Sequence, residues 1–411
     1  MLTALSAHSE SWQVILPTAD FAPKGQGIFL RADPYSTGPA PGLLFAGYPY
    51  DASLASVTRI TPLDAGYSGF AVEPLNPLDV RAREVVHNLG DGLYVVGESP
   101  WVVRSSADED QGQPGTWEVE DTFRFSWVTG TGRKQTVNQG GSRSMGAAVD
   151  ANGGVWVAGN ASDAEVNHWI VRHKPLGGAW QLRLDLPGAT AASRRESRPV
   201  TSNAGICYFP GNAQNPTPAL LAFGILNSRW AVVRSEDGFV TREVQQWWPS
   251  GSAEAEVWGG TVDALGRIYL CGVHGYEGQQ RGWIVRGSDD GGRTWTTLLN
   301  KREADNSFAA RILVDTTGTV WVAGGTASSP SPRTTWTVVR NEPGQPWQDS
   351  ADGSDSWSQR VYPLGADSWS RGRGMVDDGQ GSVYLTGDVL NPTATSLEVL
   401  VGLLRWERLT P

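Results

Sequence analysis

The sequence predicts an all-β chain, a seven-bladed β-propeller of four-stranded antiparallel blades, with an N-terminal strand completing the last blade. Three observations predict it. A short apolar run closed by glycine recurs, at Gly47, Gly97, Gly159, Gly211, Gly272, Gly324 and Gly387. A second apolar run, closed by arginine, follows each of them, at Arg59, Arg104, Arg172, Arg234, Arg286, Arg340 and Arg405. Successive glycines stand 50, 62, 52, 61, 52 and 63 residues apart, although in the fourth repeat Pro210 and a second run, ALLAFG (219–224), leave the register open. A repeat of that length built from strands rather than helices points to propeller blades.

One repeat shows how each element is read. SRSMGAAVD (142–150) ends as an alternating strand, Asn152-Gly153-Gly154 is a tight-turn signal, and VWVAG (155–159) is the return strand. WIVR (169–172) is the third strand, and a fourth follows Trp180-Gln181. VDALGRIYLCG (262–272) and VDTTGTVWVAG (314–324) copy the first hairpin. The last repeat stops after its third strand, at Arg405-Trp406. Ser11-Trp12-Gln13 resembles the fourth-strand starts Trp180-Gln181 and Trp347-Gln348, so residues 11–17 are expected to supply the missing outer strand. Such a clasp removes an open sheet edge. The whole chain, 1–411, then reads as one domain, because blades of a closed ring do not stand alone.

Composition narrows the function. The chain has 411 residues, 50 Gly, 25 Pro and 19 Trp, with 18% charged residues. That suits many short strands and tight turns rather than disorder or coiled coil. The net charge of −10 argues against a general nucleic-acid binder and against an anionic membrane surface. No apolar run approaches the length of a membrane span. The start, MLTALSAHSESWQVIL, lacks a basic leader and a clean apolar stretch, so the chain reads as no secretory precursor, while a mature extracytoplasmic form stays open. Lysine occurs only at Lys24, Lys134, Lys174 and Lys301, so positive charge is almost all arginine, the better bidentate partner for carboxylates and phosphates. Cys207 and Cys271 both lie in apolar runs and are expected as buried thiols.

Ser288-Asp289-Asp290-Gly291-Gly292-Arg293-Thr294-Trp295 matches S-x-D-x-G-x-T-W. On this motif the chain resembles the sialidase-like, Asp-box (BNR repeat) β-propellers. Partial copies stand at Ser235-Glu236-Asp237-Gly238, Lys174 to Trp180, Asn341 to Trp347 and Asp108 to Trp117. The resemblance implies a structural role. Ser288 and Asp290 would satisfy turn backbone groups, Gly292 would take a positive φ, and Thr294 and Trp295 would finish the turn. The F/Y-R-I-P segment that this family carries early is absent, the nearest stretch being FAPKGQGIFLR (21–31). Sialidase propellers have six blades, one fewer than counted here.

Two arginine sets differ in meaning. Arg104, Arg172, Arg234, Arg286, Arg340 and Arg405 recur with the fold and are expected to bond strand-end carbonyls or stack on tryptophan. Counting back seven from the residue that ends the first strand gives a second set: Arg81, Arg143, Glu256 and Arg371, with Arg198 near the equivalent place in the fourth repeat and Phe308 in the sixth. First strands line the channel of a propeller, so Arg81, Arg143, Arg198, Glu256 and Arg371 are the candidate ligand-binding residues. Pairing with carboxylates such as Glu84, Glu196 and Glu256 is the competing account of these arginines.

His8, His87, His168, His173 and His274 show no metal spacing, and the acidic stretches 108–110 and 352–355 match no calcium loop. No metal and no cofactor is expected. There is no phosphate-binding glycine loop and no nucleophile elbow. Glycosidase chemistry needs two facing carboxylates, for which Glu256, Glu84 and Asp51 are the candidates. Three functions follow. The first is a non-catalytic, monomeric recognition propeller that takes an acidic glycan or a protein partner at its axial face. The second is a glycoside hydrolase or lyase acting on sialic- or uronic-acid glycans. The third is a structural assembly factor.

Overall fold

The computed structural model describes residues 12–16, 25–32, 42–49, 57–62, 70–76, 81–88, 92–98, 101–109, 113–123, 126–128, 134–136, 142–162, 166–188, 202–247, 252–276, 281–302, 307–327, 334–347, 358–362, 370–379, 382–390 and 399–407. The secondary structure there is β, arranged as antiparallel four-stranded units. Unit I is Gly25–Ala32, Leu43–Pro49, Val57–Pro62 and Phe70–Asn76. Unit II is Arg81–Asn88, Gly92–Glu98, Trp101–Glu109 and Gln113–Phe123. Unit III is Ser142–Val149, Val155–Ser162, Asn167–Lys174 and Gln181–Pro187. Unit IV is Ser202–Phe209, Ala219–Leu226, Arg229–Ser235 and Glu243–Trp247.

Unit V is Ser252–Val262, Ile268–Tyr276, Arg281–Ser288 and Thr296–Arg302. Unit VI is Phe308–Val314, Val320–Ala327, Thr334–Asn341 and Ser358–Tyr362. Unit VII is Ser370–Asp377, Ser382–Leu390 and Val399–Glu407, with Trp12–Leu16 antiparallel beside the last, Trp12 opposite Trp406. Units II and III join into one sheet where Arg143 pairs with Glu98. A short ribbon, Ser126–Val128 with Lys134–Thr136, lies between them in sequence.

One assignment changes. The glycine-closed run of unit IV is Ala219–Leu226, with Gly224, and the run leading to Gly211 is the first strand. Pro210 and Gly211 follow that strand, and Gly211 takes φ +92°.

The glycines have a common geometric cause. Every first strand carries a β-bulge, at Ile28, Arg83, Met145, Ala204, Trp258, Ala310 and Arg373. The residue before each bulge lies opposite Gly47, Gly97, Gly159, Gly224, Gly272, Gly324 and Gly387 respectively. A Cβ on Gly159 would stand 2.0 Å from the Arg143 carbonyl oxygen, one on Gly272 1.9 Å from that of Glu256, and one on Gly324 2.0 Å from that of Phe308. The bulge presses backbone against backbone, and no side chain fits there.

The core is a series of clusters between units. Trp156, Ala158, Trp169 and Val171 of unit III pack on Ile206, Leu220, Ala222 and Val233 of unit IV, and Phe209, Leu221 and Phe223 of unit IV pack on Val257, Ile268 and Leu270 of unit V. A sheet covered on both faces needs apolar residues throughout rather than alternation; all eight residues of Ala219–Leu226 are buried. Third-strand tryptophans tie neighbours together. Trp169 donates its indole N–H to Ile225 O of unit IV at 3.0 Å, and Trp283 donates to Gly325 O of unit VI at 3.3 Å. Aspartates close the first hairpins. Asp150 Oδ1 accepts the N–H groups of Asn152 and Gly154 while Oδ2 accepts the Trp156 indole N–H; Asp315 repeats this with Thr317, Thr319 and Trp321.

Two predictions test this packing. Gly272→Ala should lose about 3 kcal/mol in urea denaturation, because the new methyl meets rigid backbone. Gly344→Ala, with φ +76° but nothing within 4 Å, should lose only about 1 kcal/mol from the left-handed backbone. The buried His173 ring stacks on Trp156 at 3.8 Å. Burial, helped by the Arg183 charge and opposed by Asp150, pushes its pKa down from 6.5 to about 4. The unfolded chain therefore takes up this proton first. The stability contributed by neutral His173 is full above pH 6.5 and is lost as pH falls towards 4. A His173→Phe variant should show a flatter fall of the denaturation midpoint across that window than the parent.

Candidate functional site

The bulges also build a cavity. It measures about 270 Å³ and is lined by first strands of units II to VII. The bulge residues Arg83, Met145, Ala204, Trp258, Ala310 and Arg373 all line it. Each is half-buried, while the residue before it, Ala82, Ser144, Asn203, Val257, Ala309 or Gly372, is buried. An extra residue in a strand leaves the ladder and re-aims its side chain, and here the re-aimed side chains meet at one place. Glu256 and Arg311 complete the charged lining. Three guanidinium groups and one carboxylate therefore share the cavity.

The position after the bulge sets spacing between units. Glu84 accepts the Ala147 N–H at 2.8 Å across the unit II–III boundary, and Gly146 leaves room for it, a Cβ there lying 2.9 Å from Glu84 Oε2. Arg311 donates from Nε to the Arg373 carbonyl at 3.1 Å across the unit VI–VII boundary. Trp258 is fixed from two sides: its indole N–H donates to Glu256 Oε2 at 2.7 Å, and its ring lies 5.1 Å from that of Phe308.

The residues expected to line the axis fall as follows. Arg81, Arg143, Glu256 and Arg371 all stand two residues before their bulges, in one register. Glu256 lines the cavity; Arg143 is exposed and is not among its lining residues. The strand positions of Arg81 and Arg371 are described, but their side chains lie outside the described residues, as does the whole of Arg198. Ser202 holds the corresponding place in unit IV. Arg83, Arg311, Arg373 and Trp258 were not singled out from the sequence. Counting back five rather than seven from the residue that ends the strand reaches Arg83 from Asn88, Trp258 from Asp263 and Arg373 from Asp378.

The turn at residues 288–295 joins the third and fourth strands of unit V. Ser288 Oγ accepts the Gly292 N–H at 2.8 Å, and Asp290 Oδ1 accepts those of Arg293 and Thr294 at 2.9 and 2.8 Å. Thr294 Oγ1 donates to Asp290 Oδ2 at 2.6 Å, and Gly292 has φ +85°. Trp295 donates its indole N–H to Gln245 of unit IV at 2.8 Å. Ser235 and Asp237 repeat the pattern in unit IV with Phe239 and Thr241, Phe239 taking φ +68°. Burial works against the Asp290 carboxylate, but hydrogen bonds from Thr294, Ser288 and the Arg293 N–H hold its pKa below the usual 3.8.

The strand-end arginines work at unit boundaries. Arg172 makes a two-pronged contact with Asp121, and Arg234 donates from Nε to the Gly291 carbonyl at 2.7 Å. Arg286 lies 4.4 Å from the Trp247 ring of unit IV, whereas Arg340 lies 5.8 Å from the ring of Trp321, its cross-strand partner within unit VI. The Arg405 side chain lies outside the described residues. Cys207 and Cys271 are free, buried thiols, each pushed up to about 12 by burial. Among the described residues no three His, Cys, Asp or Glu side chains group as metal ligands.

No protein-family model and no curated protein matches the chain. Solved structures similar to it include the polysaccharide lyase Uly1, at 9% identity over 95% of this chain and 91% of that one, with a TM-score of 0.47. A Penicillium chrysogenum α-L-arabinanase is 14% identical over 96% and 97%, with a TM-score of 0.41. A Dyadobacter fermentans protein of unknown function is 12% identical over 94% and 96%, with a TM-score of 0.44. At these levels none of the three bears on what the cavity takes.

Asp290→Ala should lower stability by about 1–2 kcal/mol at pH 7, the range for hydrogen bonds to an exposed carboxylate. Its carboxylate is depressed on folding, so the contribution is full above pH 3.8 and is lost as pH falls below it. Chemical denaturation of parent and variant at pH 7 and pH 2.5 should show the gap closing.

Proposed function

We propose that the chain is a single-domain, seven-bladed propeller that binds an acidic glycan in its axial cavity without turning it over. Contact order supports the ring. The first strand of unit I lies against those of units II and VII, and each other first strand lies against its neighbours in sequence. The observation that carries the ligand class is the convergence of Arg83, Arg311 and Arg373 beside Glu256 and Trp258 in one half-open space. Three guanidinium groups in a low-dielectric cleft on a chain of net charge −10 favour a ligand bearing carboxylate or sulfate. The Trp258 indole offers a flat apolar surface for a sugar ring.

A second reading, a hydrolase or lyase for acidic glycans, rests on Glu256 beside the arginines. Hydrolysis by the usual route needs a second carboxylate across the bond. Among the described lining residues Glu256 is the one carboxylate, which favours binding.

Calorimetric titration with uronate-bearing, sialylated, sulfated and neutral oligosaccharides tests this. Acidic glycans should bind, and more weakly as salt rises. Arg83→Ala and Arg373→Ala should each weaken binding at least tenfold, about 1.4 kcal/mol, while Arg143→Ala leaves it within twofold. Equal affinity for neutral sugars, or indifference to both substitutions, would refute the assignment. Release of reducing ends that stops in Glu256→Gln would instead establish the enzyme.

A further inference from the structure

Two strand-end arginines occupy equivalent boundaries, and among the described residues only one of them meets an acid. Strand register fixes the equivalence. In unit II, Trp101 lies opposite Phe123 and Val103 opposite Asp121; in unit IV, Trp230 lies opposite Trp247 and Val232 opposite Gln245. Both ring pairs are edge-to-face, at 5.7 and 6.0 Å. Each fourth strand receives the arginine of the next unit, Arg172 over Phe123 at 5.3 Å and Arg286 over Trp247 at 4.4 Å.

At the first boundary Asp121 accepts from Arg172 Nε and Nη2 at 2.8 and 2.7 Å. At the second, Gln245 stands where Asp121 would be, and its amide is engaged elsewhere. Oε1 accepts the Trp295 indole N–H, and Nε2 donates to Glu243 and to the Arg293 carbonyl. Arg286 Nη2 donates to the Trp295 carbonyl at 3.0 Å. Among the described residues no acceptor reaches Arg286 Nε or the Trp230 indole N–H, although the two residues are only 8% and 1% exposed. A cavity of about 160 Å³ opens there, lined by Trp230, Val232, Gln245, Trp247, Arg286 and Trp295.

We infer that this cavity between units IV and V is a second site, distinct from the axial one, which binds a small carboxylate in the place that Asp121 fills between units II and III. A guanidinium edge and a neighbouring indole N–H present donors that one carboxylate can accept together. Three indole rings offer apolar contact for the body of the ligand. The volume limits that body to roughly the size of a six-membered ring, since a cavity of about 150 Å³ holds benzene. Burial alone pushes the Arg286 pKa down to about 10, with no carboxylate to raise it. A buried cation without a counter-charge is costly, and a bound anion relieves that cost.

Indole fluorescence and thermal unfolding of the full chain test the site against sodium acetate, sodium glucuronate, glucose and sodium chloride at matched ionic strength. Acetate and glucuronate should each give a saturable fluorescence change and raise Tm; chloride and glucose should give neither. Tighter binding of glucuronate would assign the carboxylate to an acidic sugar, and equal binding to a small free acid. Arg286→Gln should weaken the response at least tenfold. Gln245→Asp should supply the acid internally, raise Tm without ligand and abolish the response, and it carries the test if Arg286→Gln does not fold. Arg83→Ala, in the axial cavity, should leave the response intact, which separates this site from the one above. No saturable response to either carboxylate, or a response that survives Gln245→Asp, would overturn the inference.

Discussion

The rest of the structure depends on the contact between a bulged first strand and the glycine that faces it. A bulge shortens the distance between two paired backbones on one side and throws one residue out of the ladder. The glycine absorbs the first effect and the cavity uses the second. At Gly272 the Glu256 carbonyl oxygen occupies the space of a Cβ. Two residues further on, Trp258 leaves the ladder and lines the cavity. The same irregularity that makes glycine obligatory also chooses which side chains line the cavity.

Units that are apolar on both faces have no separate cores and hold together only through their boundaries. Indole-to-carbonyl bonds such as Trp169 to Ile225 register one unit against the next. Arginines at strand ends do the same with carboxylate, carbonyl or ring partners. A buried guanidinium group is costly unless paired, and Arg172 and Arg234 find their partners across the boundary. Where the acid is replaced by an amide, at Gln245, a cavity opens beside Arg286. Departures from the repeat are therefore more informative about ligands than the repeat itself.

Charge is distributed against the overall balance. The chain carries ten negative charges net, yet the cavity between the first strands holds three arginines and one glutamate. Low-dielectric walls strengthen the field of such a cluster and screen it less from salt than surface charge. Arg311 is held by a carbonyl of the neighbouring strand and Glu256 by the Trp258 indole, so part of the lining is fixed by the protein's own bonds.

The sequence by itself determined the strand repeat, the hairpins and the turn chemistry. Each rests on a local requirement that one residue type meets: glycine against backbone, Asp150 and Asp315 at hairpin turns, Ser288 and Asp290 at the third turn. It placed the fourth repeat at Gly211 because that glycine also ends an apolar run, whereas pairing selects Gly224. Counting from strand ends gave Arg81, Arg143, Glu256 and Arg371, with Arg198 nearby; of these Glu256 lines the cavity and Arg143 is not among its lining residues. A bulge adds one residue without changing composition, so only strand pairing reveals that Arg83 and Arg373 are the re-aimed side chains. The contrast between Asp121 and Gln245 was likewise invisible, since Asp121 meets Arg172, and Gln245 shares a cavity with Arg286, across about 40 to 50 residues of chain. Local chemistry is written residue by residue; convergence of side chains from different units is decided only when the units pack.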